Sequence, residues 1–306
     1  MLKEFENYLK NGRKYSINTV NSYLSDINIF LEYLKESKIN YKDVNRDVIR
    51  TYLKYLDEAK YKSSSINRLL SSLNDYYNYL VKMKYVKYNY FKDINRPRKE
   101  KKLPNFINYE EYMTLIKQIE KEENEFLRTR NLLFLEILFD TGLRVSEAVN
   151  IKLSDINKNE CSIRVLGKGN RERIVYFGEY ALSYLNDYMT IRVGINSPDK
   201  NYLFLNKNYT KLTRRGAEYL INSVTKQALL KQKVTPHTLR HSFATEMLNN
   251  GCDIRSVQEL LGHKSLSTTG IYTHVTNEVV RTEYLKAFKR WGLQNIMENK
   301  IKAIKK

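Results

Sequence analysis

The sequence has few cysteines. Cys161 and Cys252 are the two among its 306 residues, and they lie far apart in the chain. They cannot build a disulfide framework, and they lack the close spacing of metal ligands. We therefore predict two reduced, buried thiols, and we expect no metal and no other cofactor.

Long hydrophobic runs are also missing. The first residues, MLKEFENYLK, lack the apolar core of a signal peptide, and the longest apolar run, LLFLEILF from Leu132, is far too short to cross a bilayer. These absences predict a cytoplasmic protein without a membrane partner.

Acidic residues are scarce relative to basic ones. The chain has 34 Asp and Glu against 53 Lys and Arg, a net charge of +19 and a pI near 9.6. Residues 1–104 contain 22 of the basic and 12 of the acidic residues, so the excess is shared between both parts of the chain. Such a balance favours a polyanionic partner, nucleic acid above all.

Apolar residues recur at helical spacing in three stretches of the first hundred residues, 20–34, 49–56 and 66–80. Ser16 stands ahead of the first stretch, and Ser63 and Ser64 stand ahead of the third, where a serine can cap a helix. The pattern predicts a small helical bundle over residues 1–95.

The segment RPRKEKKLP begins at Arg96 and combines two prolines with a run of basic side chains. Like charges and prolines prevent it from folding on itself. We interpret residues 96–106 as an extended basic linker that joins two domains.

Residues 107–306 combine helical and strand patterns. A helix is expected over 109–120, and LLFLEILFDTG predicts a helix buried on all sides that ends at Gly142. Residues 161–177, CSIRVLGKGNRERIVYF, alternate around a glycine-rich turn and predict a β-hairpin. The fold class is therefore mainly α, with a helical first domain and a mixed α+β second domain.

The stretch Thr235-Pro236-His237 predicts a helix start, with Thr235 as the cap and Pro236 in the first turn. His237 and Arg240 then lie on one face, close to free backbone N–H groups that stabilise an anion. When such a pair occurs alone, its residues are far more often exposed surface residues without a catalytic or binding function.

A second amphipathic helix is predicted from Asp253 to Leu261, and it ends at Gly262. His263 follows immediately. The spacing alone leaves open whether this histidine is a functional donor or a capping residue.

Several motifs occur together and in order: TGLRVSEA around Arg144, Lys168 in the hairpin turn, HTLRHSFAT, ELLGHKSLSTT and IYTHV around Tyr272. In this order and spacing the chain resembles the tyrosine recombinase (phage integrase) family, in particular its Xer-type site-specific recombinases. The resemblance covers essentially the whole chain. It implies a SAM-like, core-binding helical bundle followed by a catalytic domain.

The resemblance also implies a reaction. Tyr272 attacks a DNA phosphate and forms a covalent 3′-phosphotyrosyl intermediate. The hydroxyl of a second strand then reverses this step and rejoins the DNA without ATP. It assigns Arg144 and Arg240 to the non-bridging oxygens of the phosphate, because guanidinium groups match phosphate geometry.

The remaining catalytic residues implied by the resemblance are Lys168, His237 and His263. Lys168 protonates the departing 5′ oxygen. His237 takes the proton from the tyrosine or binds the phosphate, and His263 donates to a non-bridging oxygen.

The partners implied are double-stranded DNA with inverted half-sites and further copies of the chain, which form a tetrameric synapse through the C-terminal tail that begins at Arg281. The resemblance leaves open a second Xer-type recombinase and an FtsK-type translocase. A nucleoid-associated role in chromosome dimer resolution is the first hypothesis.

Three alternatives stay open. An integrase or excisionase of a mobile element uses the same chemistry. A nicking and rejoining enzyme similar to type IB topoisomerases also forms a phosphotyrosine, but acts as a monomer. A DNA-binding protein without chemistry fits the charge but leaves the ordered set of Arg, Lys, His and Tyr residues unexplained.

Overall fold

Helices dominate the structure, and the chain forms two compact units. The computed structural model describes residues 1–97, 105–167, 172–262 and 277–289. The units are Met1–Lys102 and Leu103–Lys306. Helices account for 64% of the described residues, and a small antiparallel sheet lies in the second unit. The predicted mainly α class, with a mixed second part, is confirmed.

The first unit is helical throughout its described part. Its α-helices are α1 (Leu2–Asn7), α2 (Ile17–Glu36), α3 (Arg46–Glu58) and α4 (Ser63–Lys82), with a π-helical segment at Tyr8–Gly12 and 3-10 turns at Tyr41–Asp43 and Tyr90–Asp93. The three helices predicted from apolar spacing correspond to α2, α3 and α4.

Aromatic side chains fill the core of this unit. The ring of Phe30 lies edge-on to Tyr52 and to Phe91, with centroid distances of 4.8 and 5.5 Å. Tyr77 also packs on Phe91, at 4.9 Å, and its hydroxyl donates to the carbonyl of Tyr41 at 3.0 Å. Tilted and edge-on ring pairs of this kind stabilise a core beyond their buried area. Many of the tyrosines in the chain are therefore structural.

One predicted helix cap is confirmed and one is wrong. The Ser16 side chain accepts a hydrogen bond from the first turn of α2. The cap of α4 is Lys62 and not Ser63 or Ser64. Tyr61 still belongs to the hydrogen-bonded end of α3, so the chain turns at Lys62 and the serines fall inside the first turn of α4.

The second unit surrounds one buried helix. Its described elements are α5 (Tyr109–Ile119), α6 (Glu125–Thr141), α7 (Val145–Ala148), β1 (Ile156–Asn157), β2 (Ser162–Leu166), β3 (Glu172–Tyr176), α8 (Glu179–Arg192), α9 (Arg214–Gln227), α10 (Pro236–Asn249), α11 (Ile254–Leu261) and α12 (Asn277–Lys289), with a 3-10 turn at Leu153–Asp155.

Helix α6 has no solvent-facing side after its first turn. Every residue from Arg130 to Thr141 is buried, and the helix packs against α8 and α10. It ends at Gly142, which adopts a left-handed conformation with φ +59°. A Cβ at this position would lie 2.8 Å from the Leu261 side chain, so only glycine fits. The fully buried helix and its end at Gly142 were predicted from the sequence.

The sheet contains the predicted hairpin and one further strand. Strands β2 and β3 pair antiparallel, with Ile163 opposite Val175 and Val165 opposite Arg173. Strand β1 pairs with β2 on the other side. It has two residues, too few to produce an alternating pattern in the sequence.

The thiol prediction is right for Cys252, which is buried, and wrong for Cys161, which is half-buried. Cys161 occupies the turn before β2 with φ +48°, where one side of the chain is open to solvent. None of the described helices is both long and apolar enough to cross a membrane.

The start of the C-terminal tail packs on its own unit. In α12, Val280, Tyr284 and Ala287 are buried in a cluster with side chains of α10 and α11. The rest of the tail, residues 290–306, lies outside the described residues.

Candidate active site

The segment between α6 and α7 presents Arg144. Its side chain is 39% exposed, and Nη1 donates to Glu147 Oε1 at 2.9 Å. The backbone N–H of Arg144 donates to the other carboxylate oxygen of Glu147 at 2.9 Å. Nη2 of Arg144 lies 3.4 Å from the carbonyl oxygen of Gly262. The arginine is thus held from two sides while part of its guanidinium faces solvent.

Helix α10 supplies His237 and Arg240. The Thr235 side chain caps the helix by accepting from Thr238 N–H at 3.1 Å, and Pro236 occupies its first turn. His237 follows on the exposed side of that turn. Arg240, one turn later, is only 7% exposed.

Arg240 reaches the ends of two other helices. Its Nη1 donates to Gly142 O at 2.7 Å, and its Nη2 donates to Leu261 O at 2.6 Å. Burial above all, together with the positive charges of Arg144 and Arg173, lowers the pKa of Arg240 to about 10, although the negative charge of Glu147 opposes this. The group stays protonated at neutral pH. Because Arg240 is buried and lies near two other positive charges, an anion bound beside it stabilises its charged form.

Three arginines converge on the C-terminal end of α11. The last carbonyls of a helix have no partner within the helix and carry its negative dipole. Here Leu260 O accepts from Arg173 Nε at 2.8 Å, Leu261 O accepts from Arg240, and Gly262 O is approached by Arg144. These bonds fix the guanidiniums and the helix end together.

The carboxylate of Glu147 joins this group. It is buried, and it accepts from Arg173 Nη1 and Nη2 at 3.1 and 2.9 Å as well as from Arg144. Burial raises the pKa of Glu147, but the hydrogen bonds and charges of Arg173 and then of Arg144 outweigh it, so the pKa lies below its ordinary value. We call Arg144, Arg173, Arg240 and Glu147 the arginine cluster. Three positive charges and one negative charge leave an excess of two positive charges.

The arginine cluster opens into a pocket of about 630 Å³. Three predicted site residues, Arg144, His237 and Arg240, line it together. Its wall also contains Lys233 and Arg214, and the latter is paired with Glu218 of the same wall at 2.8 Å. Among the described residues, no group of His, Cys, Asp and Glu side chains could hold a metal ion. The pocket is suited to an anion held by guanidinium and imidazole groups.

Similarity to known proteins agrees with this chemistry. Residues 105–278 match the Phage integrase family, and residues 2–84 match the N-terminal SAM-like domain of phage integrases. Tyrosine recombinase XerC of Listeria welshimeri serovar 6b is 40% identical over 288 residues, which cover 93% of this chain and 96% of the relative.

The chain belongs to the phage integrase family of tyrosine recombinases. Its activity is Xer-like site-specific recombination, in which a tyrosine mediates strand cleavage and rejoining. Among solved structures, a XerH site-specific recombinase bound to difH substrate in a pre-cleavage complex is 26% identical, with a TM-score of 0.67, over 92% of this chain and 83% of that chain. The post-cleavage complex of XerH superposes with a TM-score of 0.71 at 24% identity, over 96% of this chain and 84% of that chain.

Not all predicted site residues can be located. Lys168, His263 and Tyr272 lie outside the described residues. The sequence places Lys168 in the connection between β2 and β3, and it places His263 directly after the C-terminal cap of α11.

Sequence reasoning missed Arg173 as a member of the site. A signal for it exists, because Arg173 is two residues from Val175 in β3 and therefore points to the same face of the strand. Val175 is fully buried, and Val165, opposite Arg173 in β2, is nearly so. A charged residue in phase with buried ones predicts a buried partner of opposite charge, which is Glu147.

Proposed function

We propose that this recombinase cleaves and rejoins double-stranded DNA at inverted half-sites, with Tyr272 as the nucleophile. The phenolic oxygen forms a bond to the scissile phosphorus, and the bond from phosphorus to the 5′ oxygen breaks. The enzyme is then linked to the DNA as a 3′-phosphotyrosine, and attack by the 5′ hydroxyl of a second strand reverses the step. The phosphodiester bond energy is conserved, so no ATP is needed.

The observation that carries the proposal is the excess of two positive charges in the arginine cluster beside an exposed histidine. A phosphodiester has one negative charge, and a second develops as the tyrosine oxygen bonds to phosphorus. Arg144 and Arg240 bind the non-bridging oxygens on which this charge accumulates. Fixed donors aimed at developing charge are among the largest contributions to catalysis.

Proton transfers complete the reaction. A phenol titrates near pH 10, so only about one in a thousand is ionised at neutral pH. His237, exposed on the pocket wall, takes the proton of Tyr272 or binds the phosphate. Lys168 gives a proton to the departing 5′ oxygen, and His263 donates to a non-bridging oxygen.

The DNA substrate follows from charge, from the family and from solved relatives that hold DNA. Residues 1–95 act as the core-binding domain, 96–106 as a basic linker and 107–306 as the catalytic domain. Because binding displaces counterions from phosphates, the affinity should fall steeply with salt. A chromosomal substrate would place the enzyme at the nucleoid.

Assembly is the finer part of the proposal. Four copies bring two duplexes together, and the tail beyond α12 links neighbouring copies. The Xer-type relatives favour a second Xer-type recombinase as partner and chromosome dimer resolution, controlled by an FtsK-type translocase, as the role. Removal of the residues after Trp291 should abolish synapsis and leave half-site binding intact. Intact synapsis would contradict the assignment of the tail.

The chemistry is tested with a half-site duplex that carries a nick beside the cleavage position. Cleavage releases a short strand and traps the covalent adduct, which denaturing gel electrophoresis resolves. We expect an adduct with the unmodified enzyme and none with Tyr272→Phe. If neither forms an adduct, the proposed function is wrong.

The same assay separates recombination from topoisomerase-like rejoining. Two duplexes of different length are mixed, and a recombinase joins strands from one to the other, whereas a nicking and rejoining enzyme restores only the original pairs. Sequencing of the DNA trapped on the protein in its host then distinguishes a chromosomal site from the ends of a mobile element.

A further inference from the structure

Arg173 lies beside the candidate active site, where it contacts Glu147 and the end of α11. Its side chain is 8% exposed. Nε donates to Leu260 O, and the two Nη atoms hold both oxygens of Glu147. The guanidinium is therefore engaged along both of its donor edges, and it does not line the pocket.

The contacts of Arg173 join three separate segments. Arg173 itself belongs to β3, directly after the connection that contains Lys168 in the sequence. Glu147 belongs to α7 and holds Arg144. Leu260 belongs to the last turn of α11, next to the carbonyl that binds Arg240. One side chain thus ties the hairpin to both phosphate-binding arginines.

The fit around Arg173 is close. Gly262 adopts φ +64°, and a Cβ there would lie 3.1 Å from Arg173 Nη1 and 3.2 Å from Cζ. The guanidinium therefore lies against the glycine that ends α11. A side chain at position 262 or a shift of Arg173 would disturb this helix end.

We infer that Arg173 is a positioning residue for the cleavage step, which acts through Glu147 and the end of α11. The inference rests on the proposed function. Arg173 takes up one share of the negative charge of Glu147, so Arg144 keeps donors for the phosphate instead of pairing fully with the carboxylate. It also holds the α11 carbonyls at the place where Arg240 is fixed.

Only a planar fork can perform this task. A guanidinium binds a carboxylate through two parallel hydrogen bonds and still has Nε for a third acceptor. An ammonium group has no such fixed geometry. Arg173→Lys keeps the charge, so it separates the effect of charge from the effect of geometry.

The first test compares Arg173→Gln and Arg173→Lys with the parent in single-turnover adduct formation. We expect a rate loss between about 10- and 100-fold for Gln, because small displacements of catalytic groups cost up to this much, and partial recovery for Lys. The affinity for a half-site and its salt dependence should not change, because the Arg173 side chain is 8% exposed and does not line the pocket. Equal rates in all three enzymes would overturn the inference.

Arg192→Gln is the matched control for loss of a buried arginine. Arg192 is 3% exposed and donates to the carbonyls of Lys200 and Tyr202. We expect its removal to lower the melting temperature without slowing adduct formation by folded protein. If Arg173→Gln and Arg192→Gln both slow adduct formation in proportion to their loss of stability, Arg173 has only a structural role and the inference is overturned.

A change in the substrate gives a readout that stability alone cannot move. A methylphosphonate at the cleavage position removes one negative charge from the phosphate, so arginine placement matters less. The defects of Arg173→Gln and Arg144→Ala should both shrink on this substrate. An undiminished Arg173→Gln defect would overturn the inference.

A double-variant cycle tests the route through Glu147. The combined Glu147→Gln and Arg173→Gln enzyme removes both charges of the pair, and we expect it to lose less than the product of the two single losses. Independent losses would contradict the route. An absent adduct with the unmodified enzyme would refute the proposed function itself, which keeps the two failures distinct.

Discussion

Two clusters of charged side chains lie at helix α6 and differ in the sign of their charge. The arginine cluster lies at the C-terminal end of α6, where Arg240 donates to Gly142 O; it has excess positive charge and opens into a pocket. Glu136 and Asp140 form an acid pair one turn apart within α6, and both are buried. The Tyr112 hydroxyl donates to Glu136, and Gly178 N–H donates to Asp140 at 2.8 Å.

The two clusters differ in how their ionisable groups respond to burial. Burial raises the pKa of Glu136 to about 7, although hydrogen bonds from Tyr112 and Asp140 oppose it. Burial and then the charge of Glu136 raise the pKa of Asp140 well above its ordinary value. The acid pair therefore holds a proton, whereas Arg240 keeps its charge. Buried charge indicates function here only where it opens to a pocket.

The largest expected effect is on the arginine cluster. Arg240→Lys leaves the carbonyl of Gly142 or of Leu261 without its donor and removes the guanidinium that we propose binds the phosphate. Adduct formation should slow on the order of 10²–10³-fold, the typical loss for one fixed donor to a transition state.

The control for this variant is Arg192→Lys, a buried arginine outside the pocket. Single-turnover rates on the nicked half-site measure both. Cleavage by Arg240→Lys at the parent rate would remove the distinction between the two charge clusters.

The acid pair should respond through stability and its pH dependence. Between the ordinary pKa of glutamate and about 7, the folded protein binds more protons than the unfolded chain, so the stability contribution of Glu136 falls as the pH rises. Glu136→Gln removes this loss. As the pH rises from 5 to 8, the free energy of unfolding of the variant should therefore increase relative to that of the parent by about 1–3 kcal/mol.

Urea unfolding at several pH values measures this difference. A stability difference that is the same at pH 5 and pH 8 would show that Glu136 titrates normally. Adduct formation should be unaffected, because the acid pair does not line the pocket.

The smallest expected effect sharpens the boundary of the arginine cluster. Gly262→Ala forces an alanine into φ +64° and presses on Arg173. The strain should cost about 1 kcal/mol of stability, while adduct formation should fall by more than that loss explains. Thermal unfolding and single-turnover rates measure the two effects. A variant as active as the parent would show that the close contact with Arg173 has no effect on cleavage.

Local patterns predicted the parts of the fold that local forces decide. Apolar spacing predicted helices α2, α3 and α4 of the first unit, and two glycines of left-handed conformation, Gly142 and Gly262, marked helix ends. The order of motifs indicated Arg144, His237 and Arg240, which the structure brings to one pocket. Their roles remain predictions, as do those of Lys168, His263 and Tyr272.

Contacts between distant residues were not visible in the sequence. Arg173 pairs with Glu147, 26 residues away, and binds the carbonyl of Leu260, 87 residues away, so no local spacing encodes its role. The acid pair was hidden because Glu136 and Asp140 interrupt an apolar run that predicts burial without indicating what neutralises their charge. Lys62 replaced the predicted serine caps because the end of α3 decides where α4 can begin.

The central claim is that Tyr272 bonds to the phosphate that the arginine cluster holds. The most direct measurement is peptide mapping of the trapped adduct by mass spectrometry after digestion with trypsin and nuclease. Cleavage after Lys264 and Arg281 yields a peptide, SLSTTGIYTHVTNEVVR, in which Tyr272 is the one tyrosine. We predict that the nucleotide remnant is on this peptide and on Tyr272. A remnant on any other residue would contradict the account.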